Sequence, residues 1–578
     1  MPENKYVAEL QHAAPLIKHH LNPMTQFKKL LFYTGCSCLL LLLASCSKSK
    51  ESGVSATDTS LSFTVNGAYN GTLNYEVNGK PVIKFSFTEA IDPATIAAGV
   101  KLTDAAGANV AFSQALQDAD KTLSITPQNN FLSFAGYHLE ITNAIKPAKG
   151  GRLLNPVRIS LSTGFDDTDK CPRISDDELL TLIQQQTFKY FYDFGHPVSG
   201  LARERSTSGN TVTSGGSGFG VMALVTGVHR SFITRAAGLA RMQKIVDFLK
   251  NKASRFHGAY PHWLDGNTGA ALPFSTKDNG GDLVETSLLM QGLLTARQYF
   301  TGSDAAETAL RNDITSIYNG VEWDWYRKNN SDVLYWHWSP DYNWEMNLPI
   351  SGYNECLITY VLAASSPTHS IPKSVYDIGW AKNGAIKNGN SYYGIPLPLG
   401  TANGGPLFFA HYSFLGLNPM GLTDTYANYE TQNRAHTLIN YKYCADNPKK
   451  YAGYSENCWG LTASDIPNGY AASSPANDRG VIAPTAALSS FPYTPVESMQ
   501  ALKFFYYKLG DKLFKDYGFV DAFSLQEKWF DTQTLAIDQG PIVIMIENYR
   551  SKLLWNLFMT APEVKSGLLK LGFNSPNL

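Results

Sequence analysis

Residues 175–194, SDDELLTLIQQQTFKYFYDF, decide the fold of most of this chain. Ser175 and Glu178 stand at capping-box spacing: the serine oxygen takes a backbone N–H that the first helical turn leaves free, and the glutamate reaches back to the cap. Behind them apolar residues recur at three- and four-residue intervals, the period of a helix with one face against a core. The same pattern returns at 217–230, 234–251, 282–300, 305–320, 352–364, 425–445, 495–509 and 541–559, with few strand signals between. Roughly a dozen helices over some 400 residues, with no strong short repeat, fit a toroid of helical hairpins better than a small bundle. Several are apolar nearly all round, as an inner ring requires, and others carry a charged face, as an outer ring would. Residues 170–578 are therefore read as an all-α domain, an (α/α)6 toroid whose inner-ring loops build a cleft at one end. Helix N-termini facing that cleft can hold acids.

Upstream the period changes. Residues 58–165 show short alternating runs, LSFTV, VIKFSF, KTLSITP, YHLEIT and RISLST, separated by Gly, Asn, Asp and Pro. Alternation at period two with turns every ten or so residues predicts an all-β sandwich. It contains no cluster of carboxylates and aromatics that would support chemistry.

The first 46 residues read as an address. Lys28 and Lys29 precede an apolar run from Leu30 to Leu43, followed by Leu43-Ala44-Ser45-Cys46: charged region, apolar region and small-residue cleavage site. The run is short for a membrane span. The tetrad resembles a bacterial lipobox, which implies acylation of Cys46 and a lipid anchor, with residues 47–57 as a tether. An ordinary secretory signal with a chance cysteine is the alternative. Met24 reads as the better start. Ser47 does not resemble an inner-membrane retention signal, so the expectation is an outer-membrane lipoprotein of the cell envelope.

Composition narrows the partner. A net charge of -1 offers no electrostatic reason to expect nucleic acid. An aromatic content of 12%, with 31 Tyr and 10 Trp, favours a neutral polar ligand such as an oligosaccharide. Cys171, Cys356, Cys444 and Cys458 lack CxxC spacing, which argues against a zinc site. No metal or cofactor is expected, a calcium site being open but without a residue pattern in its support. Cys444 and Cys458 are spaced so that a disulfide could close a short loop, a pairing the sequence does not decide. There is no GxxxxGK[ST] loop, no HExxH and no GxSxG elbow. A monomer is expected.

Residues 255–294, RFHGAYPHWLDGNTGAALPFSTKDNGGDLVETSLLMQGLL, carry the chemistry. Phe256, Tyr260, Trp263 and Phe274, with His257 and His262, lead into Asp278, Asp282 and Glu285. Flat rings beside acids that protonate a leaving oxygen or activate water are what glycosidic cleavage needs. Asp282 and Glu285, three apart, share a helix face, and the same spacing serves capping. Asp278, ahead of the Asn279-Gly280-Gly281 turn, is one acid more than a helix start needs. Trp336, Trp338 and Trp344 join Trp263 as sugar-stacking candidates; Trp336-His337-Trp338 alternates, so two rings face one way and His337 the other. Arg203, Glu204 and Arg205 either hydrogen-bond sugar or bridge charges.

Taken in order, TFKYFYDFGHPVSGLARERS, TSGGSGFGVMAL, RFHGAYPHWLDG, GGDLVETSLLMQGLLTARQYF, YWHWSPDYNWEMNLPISGYNECLITYVLAASSPTH and AIDQGPIVIMIENYRS resemble the bacterial glycoamylase-like domain family. Within it they are most similar to the β-1,2-glucan hydrolases of glycoside hydrolase family 144. Residues 84–110 and 121–151 resemble bacterial Ig-like domains. The resemblance implies an inverting hydrolase that cleaves β-1,2-linked glucose polymers without a cofactor, one acid protonating the leaving oxygen and one base activating water.

On that basis Glu355 in SGYNECLITY is the candidate acid, set beside aromatics that raise a carboxyl pKa; its other reading is a first-turn glutamate favoured by the helix dipole. Asp538 is the candidate base, acting directly or through a sugar hydroxyl and water, with helix capping as the alternative. Asp278, Asp282 and Glu285 are carried as functional carboxylates. Glu547, with Arg550 three residues on, reads as a structural ion pair. Competing functions are a glycan-binding lipoprotein that has lost catalysis, and a hydrolase or transglycosylase of the same fold on another glucan. Endo and exo action are not separable in the chain.

Overall fold

The computed structural model describes residues 57–578, and the chain divides after Thr168 into two units, each described by itself. The leader, Cys46 and the tether up to residue 56 lie outside the described residues.

The smaller unit is a sandwich of two four-stranded sheets. Its strands are β1 (Leu61–Val65), β2 (Leu73–Asn74), β3 (Ile83–Phe87), β4 (Val100–Asp104), β5 (Phe112–Gln117), β6 (Thr122–Pro127), β7 (Gly136–Ile141) and β8 (Val157–Ser162). One sheet runs β1-β3-β6-β5, the other β2-β8-β7-β4. Period two explains the core: β1 and β3 alternate buried and outward residues, so Phe63, Phe85, Leu123, Ile125, Leu139 and Ile159 meet between the sheets. β4 and β5, which the alternating runs did not mark, supply an edge strand to each sheet.

In the larger unit the capping box forms as read. Ser175 Oγ accepts from the Glu178 amide, Glu178 returns to the Ser175 amide at 2.9 Å, and α1 runs Asp176–Tyr192. α2 (Ser214–His229), α4 (Leu283–Tyr299), α6 (Leu357–Ser365) and α8 (Ala536–Ser551) are buried on nearly every side. α3 (Arg235–Asn251), α5 (Ala305–Asn319) and α7 (Tyr429–Asp446) keep a wet face. α2 packs on α4 and α8, and α8 on α1. The closeness of α2 and α4 depends on glycine: a Cβ on Gly218 would lie 2.3 Å from the Leu288 carbonyl oxygen, and one on Gly292 2.1 Å from that of Gly218. The glycine run at 213–224 thus serves helix packing.

Two details differ from the sequence reading. The apolar stretch 541–559 is not one helix: it breaks at Lys552, whose φ of 57° ends α8 before α9 (Leu553–Met559). Cys444 and Cys458 are both buried and unjoined, so the disulfide that their spacing left open is not formed.

Candidate active site

The buried helices present their N-terminal ends with acids on them. A strand, Thr211–Thr213, runs straight into α2, and a two-residue strand, Gly281–Asp282, runs straight into α4. That second strand pairs with His337–Trp338, opposing Gly281 to Trp338 and Asp282 to His337. Glu355 lies two residues ahead of α6, and Asp538 in the first turn of α8. All five candidate carboxylates are buried: Asp278 is 7% exposed, Asp282 0%, Glu285 8%, Glu355 4% and Asp538 3%.

Half of the capping expectation holds at α4. Asp282 is the N-cap, its Oδ1 accepting from the Glu285 amide at 2.9 Å, but Glu285 does not fold back. Its carboxylate crosses to the start of α2, where Oε2 accepts from the Gly215 amide at 2.8 Å. A Cβ on Gly215 would lie 2.4 Å from that oxygen, so only glycine admits the contact. His262 lies between these acids: its Nδ1 is 3.2 Å from Asp282 Oδ2, and its ring stacks on Phe274 at 4.0 Å. Burial alone would depress the imidazole, but the charges of Glu285, Asp282 and Asp278 outweigh it and raise the pKa to about 9. His262 is therefore an imidazolium at neutral pH. Burial pushes Glu285 up and the His262 charge pulls it back. Trp336 is buried and donates its indole N–H to Asp282 Oδ2 at 3.3 Å. His337 Nε2 sits 3.0 Å from Asp278 Oδ1 but off hydrogen-bonding direction.

Glu355 faces this group without a cation of its own. Burial pushes its carboxyl up to about 8, and the charges of Glu285 and Asp282 add to the shift. It is protonated at neutral pH.

A second acid group gathers at the start of α8. Asp538 stands within hydrogen-bonding range of Asp521, and Asp531 of Asp465. Burial raises Asp538 to about 7 and Asp521 well above the carboxylate range. Arg205 donates to Glu204 at 3.0 Å and to Asp465 at 2.9 Å. One phenol ties the two groups together: burial pushes Tyr412 up, and Asp538, Glu355 and Glu285 all raise it further. Those three acids therefore act on one buried phenol.

The remaining candidates divide. Arg203 turns away, donating to the Gly209 and Phe194 carbonyls and stacking on the Phe194 ring at 4.5 Å. A sugar-binding role for it does not fit; Glu204 and Arg205 stay among the acids. Trp263 is half-buried edge-on to Phe274, 4.9 Å away. Trp338 and Trp344 are half-buried and braced on Trp325, at 5.3 and 4.8 Å. Glu547 is an ion-pair residue, though with Arg230 at 2.7 Å; Arg550 goes to Asp177 and Gln184. Sequence reading missed Asp465, Asp521, Asp531 and Tyr412, which lie far apart in the chain with no motif around them.

Residues 347–562 match the model of the family described as putative glucoamylase, and residues 50–163 the bacterial Ig-like domain. The exo β-1,2-glucooligosaccharide sophorohydrolase (non-reducing end) of Parabacteroides distasonis is 47% identical over 420 residues, 69% of this chain. The match spans 58% of that protein's length. The structure of endo-β-1,2-glucanase from Chitinophaga pinensis, in complex with sophorotriose and glucose, is 56% identical. It covers 70% of this chain and 100% of its own, with a TM-score of 0.69. β-1,2-glucanase from P. distasonis is 39% identical over 86% of this chain and 72% of its own, with a TM-score of 0.68.

Proposed function

Because the chain belongs to the glycoamylase-like family, we propose that it is a glycoside hydrolase that cleaves β-1,2-glucan. The observation that carries the reading is Glu355: a buried carboxyl held protonated at neutral pH, close enough to Glu285 and Asp282 to be raised by them, with Asp538 acting on the same Tyr412 phenol. Relatives whose names specify β-1,2-glucan substrates supply the linkage.

The chemistry follows from this placement. Glu355 gives its proton to the glycosidic oxygen as the bond to the anomeric carbon breaks, so the leaving sugar departs as a neutral alcohol. Asp538 takes a proton from the attacking water, directly or through a sugar hydroxyl, and the oxygen adds to the opposite face with inversion. The His262 imidazolium stands among Asp278, Asp282 and Glu285 and pulls Glu285 back down against its burial, and the oxygens of this group are placed to accept hydrogen bonds from sugar hydroxyls. Trp263, Trp338 and Trp344 offer ring surface for stacking. The same reading closes the helices buried all round into the inner ring of an (α/α)6 toroid and takes the protein as a monomer. It places the protein in the cell envelope as an outer-membrane lipoprotein anchored through Cys46.

Incubation with linear β-1,2-, β-1,3-, β-1,4- and α-1,4-glucans, with products sized, tests it. Short β-1,2-oligosaccharides released from the first substrate alone support the proposal, and their lengths separate endo from exo action. Binding without cleavage of any glucan would instead indicate a glycan-binding lipoprotein.

A further inference from the structure

We infer that the second acid group is a binding site for a divalent cation of the calcium type, ligated by Asp465, Asp521 and Asp531. Each offers one carboxylate oxygen, and these atoms all lie within 4.8 Å of one another. Two oxygens on opposite sides of a calcium ion at about 2.4 Å are about 4.8 Å apart, so the triangle fits around one such ion with room for water to complete the shell.

Backbone amides or Arg205 hold one oxygen of each of these three side chains. Asp521 Oδ2 accepts from the Asp465 amide at 2.6 Å. Asp531 Oδ1 accepts from the amides of Thr532 and Gln533, at 2.7 and 3.1 Å, and Asp465 Oδ2 from Arg205 at 2.9 Å. What remains is Asp521 Oδ1 and Asp531 Oδ2, both buried with no donor, on side chains only 2% and 9% exposed. A buried carboxylate oxygen without a partner is costly, and a cation is the partner that satisfies both at once.

Charge counting leads to the same place. Glu204, Asp465, Asp521, Asp531 and Asp538 share one guanidinium: among the described residues Arg205 alone makes ion-pair contact with them. Asp282 and Glu285 have the His262 imidazolium and helix-end amides instead. A bound divalent ion would also tie the hairpin of Ala463–Ile466 to the 521–531 loop, and so brace Asp521 against Asp538. The alternative is that the carboxyls hold shared protons across the Asp521–Asp538 and Asp531–Asp465 contacts.

The test starts from the purified protein. Metal content is measured as isolated; chelator-treated protein is then titrated calorimetrically with calcium chloride and, separately, magnesium chloride, with Tm followed throughout. The inference predicts one calcium equivalent per chain, a Tm raised by several degrees on its return, weaker magnesium binding, and loss of both heat and Tm shift in Asp531→Asn and in Asp465→Asn. The asparagine variants keep shape and lose charge, so with shared protons they would melt at or above the wild-type temperature. That result, or a chelator-treated wild type that neither binds calcium nor changes Tm, would overturn the inference. So would tighter binding of magnesium.

Discussion

Two buried acid groups approach Tyr412, and they are neutralised in different ways. Asp282 and Glu285 are balanced from within, an imidazolium, a buried indole N–H and two helix-end amides meeting their oxygens, while Asp278 Oδ1 is buried without a donor. Glu204, Asp465, Asp521, Asp531 and Asp538 have a single guanidinium and leave buried oxygens on Asp521, Asp531 and Asp538 without donors. Glu355, on neither side's list of partners, is the carboxyl that stays protonated. A site that needs an acid and a base in one cavity can keep them apart by giving fixed counter-charges to one set of carboxylates and withholding them from another.

The largest test of this contrast is to remove the proposed base. Asp538→Asn should fold and lower kcat by about 10²–10⁴-fold, the range that general acid–base catalysis contributes. A loss confined to KM would move Asp538 out of the chemistry and into sugar binding.

Removing the internal counter-charge should weaken the fold as well. His262→Asn leaves buried acids uncompensated and is expected to cost about 3 kcal/mol in denaturant unfolding, as breaking a buried pair does. The sign with pH is definite, since the folded pKa of about 9 lies above the ordinary imidazole value. The stabilisation is whole at pH values below the unfolded imidazole's titration and is lost as pH rises through about 9. A wild-type advantage over the variant that stays flat across this interval would contradict the imidazolium.

Glu355 predicts the rate profile. With a carboxyl raised to about 8, kcat/KM on β-1,2-glucan should fall above that pH, approaching tenfold per unit. A plateau extending well into alkaline solution would mean that another group delivers the proton.

The smallest effect sharpens the contrast without breaking it. Trp336→Phe keeps the buried ring and deletes the N–H held by Asp282, for an expected loss of about 1.5 kcal/mol in stability. A neutral result would show that His262 alone suffices for Asp282.

The same contrast explains what could be read from sequence. The Asp278, Asp282 and Glu285 side lies in one 40-residue stretch, where aromatics, imidazoles and acids stand close enough to be seen together. The other side is assembled from residues 204, 205, 465, 521, 531 and 538, and only folding brings them together. Of these, Asp538 stood out because a Gly-Pro step and an apolar helix follow it, and Glu204 because it shares a charged run. Asp465 sits in a four-residue strand and Asp521 and Asp531 flank two-residue strands, runs too short for a period to mark them. Helices were legible where capping and apolar period agree, as at Ser175. The break at Lys552 was not, because a lysine in the left-handed region carries no signal of the kind glycine would give. Arg203 and Arg205 look alike in GLARERS, yet in the fold one goes to the Phe194 ring and the other to the acids.

The most direct measurement compares wild type with Glu355→Gln on two substrates, β-1,2-glucan and an aryl β-1,2-oligoglucoside whose phenol leaves without a proton. If Glu355 is the acid, the variant loses about 10²-fold or more on the glucan and much less on the aryl substrate. Equal losses on both, or none on either, would contradict the account.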